Sequence, residues 1–158
     1  MKNIIFNTSN LQVILTNNVK EILLSFKQQK EQDIETGGIL MGQLYPKSNK
    51  IIVSHALTCE HNFSSRYRLN LNIKCLQKKM NEIWKNSSGT ITYIGDWHTH
   101  PEKNPKPSFL DYKTFVVNYY KSKFNQNILL YLILGSHQNI WFKAFNQYKF
   151  KKVHDMKL

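Results

Sequence analysis

His98 and His100 stand one residue apart, and Asp111 follows His100 by eleven positions. Imidazole and carboxylate at such spacing point to metal chemistry. A strand sends side chains i and i+2 to the same face. If 90–100 is a strand, His98 and His100 project together and Thr99 points away. Zinc in catalytic sites takes three protein ligands and leaves a fourth position to water. Asp111 is the candidate third ligand. The intervening loop carries Pro101, Pro105 and Pro107, which stiffen the return path and reduce the entropy lost in ordering it.

Each of these signals has an ordinary counterpart. Surface strands and satisfied core histidines also produce His-x-His. Ser108-Phe-Leu-Asp111 also spells a capping box, with Ser108 as N-cap and Asp111 at N3. The conjunction favours the metal, because neither feature requires the other. An aspartate in a first helical turn is favoured by the helix dipole and so stays anionic. Hydrolysis then needs a proton-transfer group outside the ligand set. The best candidate is Glu35 in IETGGILMG. Its neighbours Gly37 and Gly38 permit close backbone approach, and an acid beside a buried strand has its pKa raised by desolvation. Taken alone, Glu35 reads better as a solvated glutamate at a helix end.

These residues must be positioned by elements that periodicity locates. Residues 3–15 alternate weakly as a first strand, and 17–33 carry Val19, Ile22, Leu23 and Phe26 at helical spacing. Strands follow over 36–45 and 51–59, with a YPKSNK turn between them. Residues 60–68 are polar and irregular. Leu69, Ile73, Leu76, Met80 and Ile83 mark a second helix ended by NSSG at 86–89. A β-rich run over 90–100, a third helix from Ser108 to about Phe124, and strands over 127–135 and 139–150 complete the order, the last two joined by a hairpin-length SHQ loop. The order β-α-β-β-α-β-α-β-β predicts an α/β or α+β domain, a mixed sheet with helices packed against it.

The bulk properties narrow the function. At 158 residues the chain suits one domain, 1–158, and no stretch approaches a membrane span of roughly 20 apolar residues. Two cysteines, Cys59 and Cys75, make no disulfide framework, so a reducing cytoplasmic location and two small buried thiols are expected. The net charge of +12 is spread over scattered lysines, with arginine only at positions 66 and 68, so nucleic acid is not an expected partner. An acidic protein partner fits the charge better. His55 is expected in the core or behind the site, His61 near the irregular segment, and Trp97 in packing.

At this point the residues resemble a known pattern. The JAMM (MPN+) metalloproteases carry a glutamate followed by His-x-His, seven residues, and Ser-x-x-Asp. Here this reads Glu35, then His98-Thr-His100, the seven residues Pro101 to Pro107, and Ser108-Phe-Leu-Asp111. The resemblance implies the JAMM/cytidine-deaminase-like architecture. It also implies that His98, His100 and Asp111 bind Zn²⁺, that Glu35 moves the proton from water to the leaving amine, and that Ser108 hydrogen-bonds to the developing oxyanion or the water. Only the family gives Ser108 that catalytic role.

The implied reaction is cleavage of an isopeptide or peptide bond after the C-terminus of a ubiquitin-like or similarly conjugated protein. GDWHTHPE with its proline-rich continuation looks most like the stand-alone prokaryotic group encoded with cGAS-like nucleotidyltransferases in antiphage (CBASS) operons. There the conjugated partner would be the nucleotidyltransferase. An extended substrate tail would add as a strand beside the site, with residues 61–70 or the loop after His100 as the expected border. The competing readings are processing of a sulfur-carrier protein or a phage-tail peptide, and a non-catalytic MPN interaction module. A RadC-like role linked to DNA is less favoured.

Overall fold

The computed structural model describes residues 2–28, 30, 33–59, 64, 69–121, 127–146 and 150–157. Its strands are β1 (Ile4–Thr8), β2 (Leu11–Leu15), β3 (Gly37–Tyr45), β4 (Lys50–Leu57), β5 (Thr92–Thr99), β6 (Ile128–Leu134), β7 (Asn139–Asn146) and β8 (Phe150–Lys157). Three α-helices intervene: α1 (Asn17–Ser25), α2 (Ile73–Asn86) and α3 (Phe109–Lys121). The strands form one mixed sheet in the order β1-β2-β4-β3-β5-β6-β7-β8, with parallel pairs at β2–β4 and β5–β6. The predicted class is therefore observed.

Local sequence explains most boundaries, including those that differ from expectation. The expected strand over 3–15 is a hairpin. The Thr8 hydroxyl donates to the Leu11 carbonyl and accepts from the Asn10 amide, so a Thr-Ser-Asn turn divides the run. Helix α1 stops at Ser25 instead of continuing to 33. Beyond Phe26, whose ring packs 5.7 Å from Trp97, every residue to Asp33 is polar, and no apolar stripe remains to bury. Helix α2 starts at Ile73, where Asn72 caps it by accepting from the Cys75 amide at 3.1 Å. Leu69 and Leu71 thus precede the helix. Strand β8 was not foreseen. The end of the third expected helix, 122–124, lies outside the described residues.

The sheet coils around its main core, far enough for Phe6 of β1 to stack on Phe142 of β7 at 4.6 Å. Val19 and Leu23 of α1 close that side against Leu40, Val53 and Trp97. Trp97 is therefore packing, as expected. The other face carries α2 and α3. Leu76 of α2 packs with Ile39 and Met41, and Phe115 and Tyr119 of α3 pack with Leu129, Tyr131 and Phe145.

The cysteine expectation is corrected: Cys59 and Cys75 are joined by a disulfide. It ties the exit of β4 to the first turn of α2 across a segment of polar sequence. The pairing depends on those two elements lying side by side, which a separation of 16 residues does not reveal. Among the described residues no helix is long and apolar enough to cross a membrane.

Candidate metal centre

Strand β5 is paired on both sides, antiparallel to β3 and parallel to β6. Between the Leu40–Gly95 and Met41–Tyr93 pairs the register slips by one residue. Gly95 at φ +152° allows this bulge, and a Cβ there would lie 1.9 Å from the Leu130 carbonyl oxygen. Past the bulge the alternation is regular, so Asp96 and His98 face the α2/α3 side. His100 continues the ladder, its amide donating to the Leu134 carbonyl at 2.8 Å. His98 and His100 are 3% and 6% exposed.

The two imidazoles meet Nε2 to Nε2 at 3.0 Å. Asp111 Oδ2 lies 3.3 Å from His100 Nε2 and 3.9 Å from His98 Nε2. Zinc bound tetrahedrally at about 2.0–2.1 Å holds its ligand atoms roughly 3.3–3.4 Å apart, so these three atoms suit a first-row divalent ion with shifts of a few tenths of an ångström. Among the described residues this is the group of His, Cys, Asp and Glu side chains that could hold a metal.

Asp111 arrives by the helix start that the sequence foreshadowed. Ser108 Oγ accepts from the Asp111 amide at 3.1 Å, and Asp111 Oδ2 accepts from the Ser108 amide at 2.8 Å. The capping box is real, and the same carboxylate faces the histidines. The cap aims the candidate ligand. The preceding loop is clamped as well as stiffened by proline. The Glu102 carbonyl accepts from the Ser136 amide at 3.0 Å, and Asn139 Nδ2 donates to the Lys103 carbonyl at 2.9 Å.

Glu35 sits in the extended segment before β3, not at a helix exit. The antiparallel register pairs Gly37 with His98. Continued outward by two residues, it sets Glu35 opposite His100. Thr99, pointing away from the candidate ligands, fixes this continuation: its amide donates to the Thr36 carbonyl at 2.8 Å, and its Oγ1 accepts from the Thr36 amide at 3.1 Å. Glu35 Oε1 is 3.8 Å from His100 Nε2.

The electrostatics separate the roles. Burial, with small contributions from Asp111 and Glu102, pushes the Glu35 carboxyl up to about 7 against the pull of His100. Burial and the neighbouring His100 hold His98 down at about 3, so its ring stays neutral with a lone pair to give. Burial would raise Asp111, but bonds from His100 and Ser108 outweigh it and keep the carboxyl below its ordinary range. Burial acts to lower His100, and Asp111 and Glu35 overcome it. A ligand set of one neutral imidazole, one anionic carboxylate and a proton-binding imidazole beside a near-neutral acid is arranged to exchange a proton for a dication.

Four further residues shape the site without having been foreseen from the sequence. Glu102 places Oε2 3.3 Å from His100 Nδ1. Tyr131 backs the His98 ring at 5.4 Å and stacks on Phe115 at 4.4 Å. Thr99 orders the Glu35 segment. Asp96, bonded by Tyr93 Oη at 2.8 Å and raised by burial to about 6, lies two residues behind His98 on the same face. Only Asp96 carried a visible signal, an acid at strand spacing from a candidate ligand. His55, in β4, bonds its neighbour Ser54 at 2.9 Å, away from the metal group. Of the expected substrate border, residues 61–63 and 65–68, with His61 and both arginines, lie outside the described residues. Leu69, at the end of that border, covers Gly37 next to His98, within 2.7 Å of where a Cβ on Gly37 would stand.

Residues 21–145 match the family described as prokaryotic homologs of the JAB domain. An Escherichia coli (strain TW11681) protein named CD-NTase/cGAS isopeptidase is 31% identical over 131 residues, spanning 82% of this chain and 79% of that one. Proteins of the same name from Pseudomonas aeruginosa and Vibrio cholerae are 34% and 30% identical, over 58% and 65% of this chain and 60% and 65% of theirs.

Proposed function

We infer that the chain, which belongs to the family of prokaryotic homologs of the JAB domain, is a deconjugating isopeptidase. Its substrate is a CD-NTase (cGAS-like) protein joined through its C-terminus to an amine of another protein, and its setting is CBASS-type antiphage signalling. The single observation that carries the chemistry is the convergence of His98, His100 and Asp111, with Glu35 outside the ligand set but 3.8 Å from His100 Nε2.

Zn²⁺ held by His98, His100 and Asp111 would supply Lewis acidity, polarising the scissile carbonyl and acidifying water. The remaining work belongs to the protein. Glu35 Oε1 takes a proton from the attacking water and delivers it to the departing amine. Oxygen adds to the carbonyl carbon, the C–N bond breaks, and the products are a carboxylic acid and an amine. A carboxyl poised near 7 suits both transfers. Ser108, whose Oγ lone pair takes the Asp111 amide, retains an O–H to donate to the oxygen that gains charge. No acyl-enzyme is needed, and the bridged cysteines offer no thiolate.

The test pairs metal content with turnover on an isopeptide-linked CD-NTase C-terminus. Wild type should bind one zinc. Glu35→Ala should retain the metal and lose about 10²–10⁴-fold in kcat, whereas His98→Ala should lose both. Purified protein that takes up no stoichiometric zinc, or a fully active Glu35→Ala variant, would overturn the assignment. A non-catalytic module is the weaker reading, because nothing in such a module requires a near-neutral acid beside a complete ligand set.

A further inference from the structure

The imidazole of His100 has two nitrogens, and the site uses only one. Nε2 faces His98 at 3.0 Å and Asp111 at 3.3 Å. Nδ1 faces the opposite way, towards Glu102 Oε2 at 3.3 Å. A neutral histidine that ligates through Nε2 must carry its proton on Nδ1, and the group accepting that proton's hydrogen bond fixes the tautomer and the ring angle. The distance is just outside the usual 2.7–3.2 Å range for N–H···O, so a small rotation of the carboxylate closes it.

The backbone of Glu102 is prepared for this. It follows the His100-Pro101 step directly, and its carbonyl is anchored by the Ser136 amide at 3.0 Å. Gly135 makes that approach possible, because a Cβ there would stand 2.6 Å from the Glu102 carbonyl oxygen. The side chain, 62% exposed, contributes little to the core. An exposed carboxylate 3.3 Å from the rear nitrogen of a buried ring is placed to accept that nitrogen's proton in a hydrogen bond.

We propose that Glu102 is a positioning residue: its carboxylate accepts from His100 Nδ1–H, fixes the tautomer that leaves the Nε2 lone pair for the metal, and thereby sets metal affinity. This rests on the reading of His100 as a ligand.

The experiment measures zinc affinity of the full chain by competition with a chromophoric chelator, for wild type and Glu102→Ala, Glu102→Gln and Glu35→Ala. The His100 ring tautomer is read from ¹⁵N–¹H correlation spectra of the zinc-loaded protein, with His100→Gln used for assignment. Zinc should bind Glu102→Ala about 10–100-fold more weakly than wild type. Glu102→Gln, whose amide oxygen can accept the same bond, should recover part of the loss. Glu35→Ala should bind like wild type. Wild-type His100 should show a protonated Nδ1. The metal-free melting temperature of Glu102→Ala should match wild type, which separates positioning from folding. Zinc binding by Glu102→Ala at wild-type affinity would defeat this proposal alone, whereas a zinc-loaded His100 ring protonated at Nε2 has no lone pair there and would defeat the ligand reading as well. Failure of wild type itself to bind zinc would remove the ligand reading along with it.

Discussion

Glu35 and Asp111 sit in one cluster and respond to pH with opposite sign. The Glu35 carboxyl stands at about 7 in the fold against an ordinary 4.5. Between those values the folded protein holds a proton that the unfolded chain has released, so its contribution to stability is complete below about 4.5 and is lost as pH rises through about 7. Asp111 is depressed, so its contribution is present above the ordinary aspartate range and is lost as pH falls towards its lower folded value. Metal-free Glu35→Gln should therefore melt higher than metal-free wild type at pH 8, and the gap should close near pH 4.5. Thermal melts in a chelator decide this, and equal melting temperatures at pH 8 contradict it. Ser108 admits a similar separation. Ser108→Ala removes the acceptor for the Asp111 amide and should cost about 1 kcal/mol. Ser108→Asn supplies a capping oxygen but no hydroxyl. It should restore the melting temperature while turnover stays down by about 10²-fold. Recovery of both would reduce Ser108 to a cap.

At the scale of elements, the site depends on how closely β3 can approach its neighbours. A Cβ on Gly38 would lie 1.7 Å from the Leu57 carbonyl oxygen, inside the β3–β4 pairing. Gly38→Ala must push backbone aside, and about 3 kcal/mol is expected, the upper end for overpacking. Urea denaturation of the metal-free protein measures it, and a loss below 1 kcal/mol would mean the sheet yields more easily than its register suggests. The paired glycines were legible as a point of close approach, and so were the histidine pair at the end of β5, the cap at Ser108 and the apolar runs of β3, β4, β6 and β7. Elsewhere, short-range pattern met long-range packing. The helical spacing of Leu69 and Ile73 extends an amphipathic pattern backwards, but Leu69 leaves it to cover Gly37. Asn72 then caps the helix that does form. Glu35 was identified by residue type and its glycine neighbours. Its partner across the sheet follows from the β3–β5 register, which no single strand contains.

Across the whole molecule, the candidate ligands come from the end of β5 and the start of α3, and the candidate proton carrier from the approach to β3. Unfolding scatters them, so a metal ion that binds them binds the native state. At free zinc 100-fold above its dissociation constant the expected gain is about 2.7 kcal/mol. At about 2–4 °C per kcal/mol for a chain of this size, the melting temperature should rise by about 5–10 °C. Glu35→Gln should show the full rise, because its side chain lies outside the ligand set. His98→Ala and Asp111→Ala should show none. The melts belong in buffer without reductant, because opening the Cys59–Cys75 bridge would free two thiols to bind zinc on their own and would release the tie between β4 and α2. A rise in the Asp111→Ala protein equal to that of wild type would place the ion elsewhere. A rise confined to wild type and Glu35→Gln would tie His98 and Asp111, from two elements, to one metal, with the glutamate across the sheet left free to move the proton.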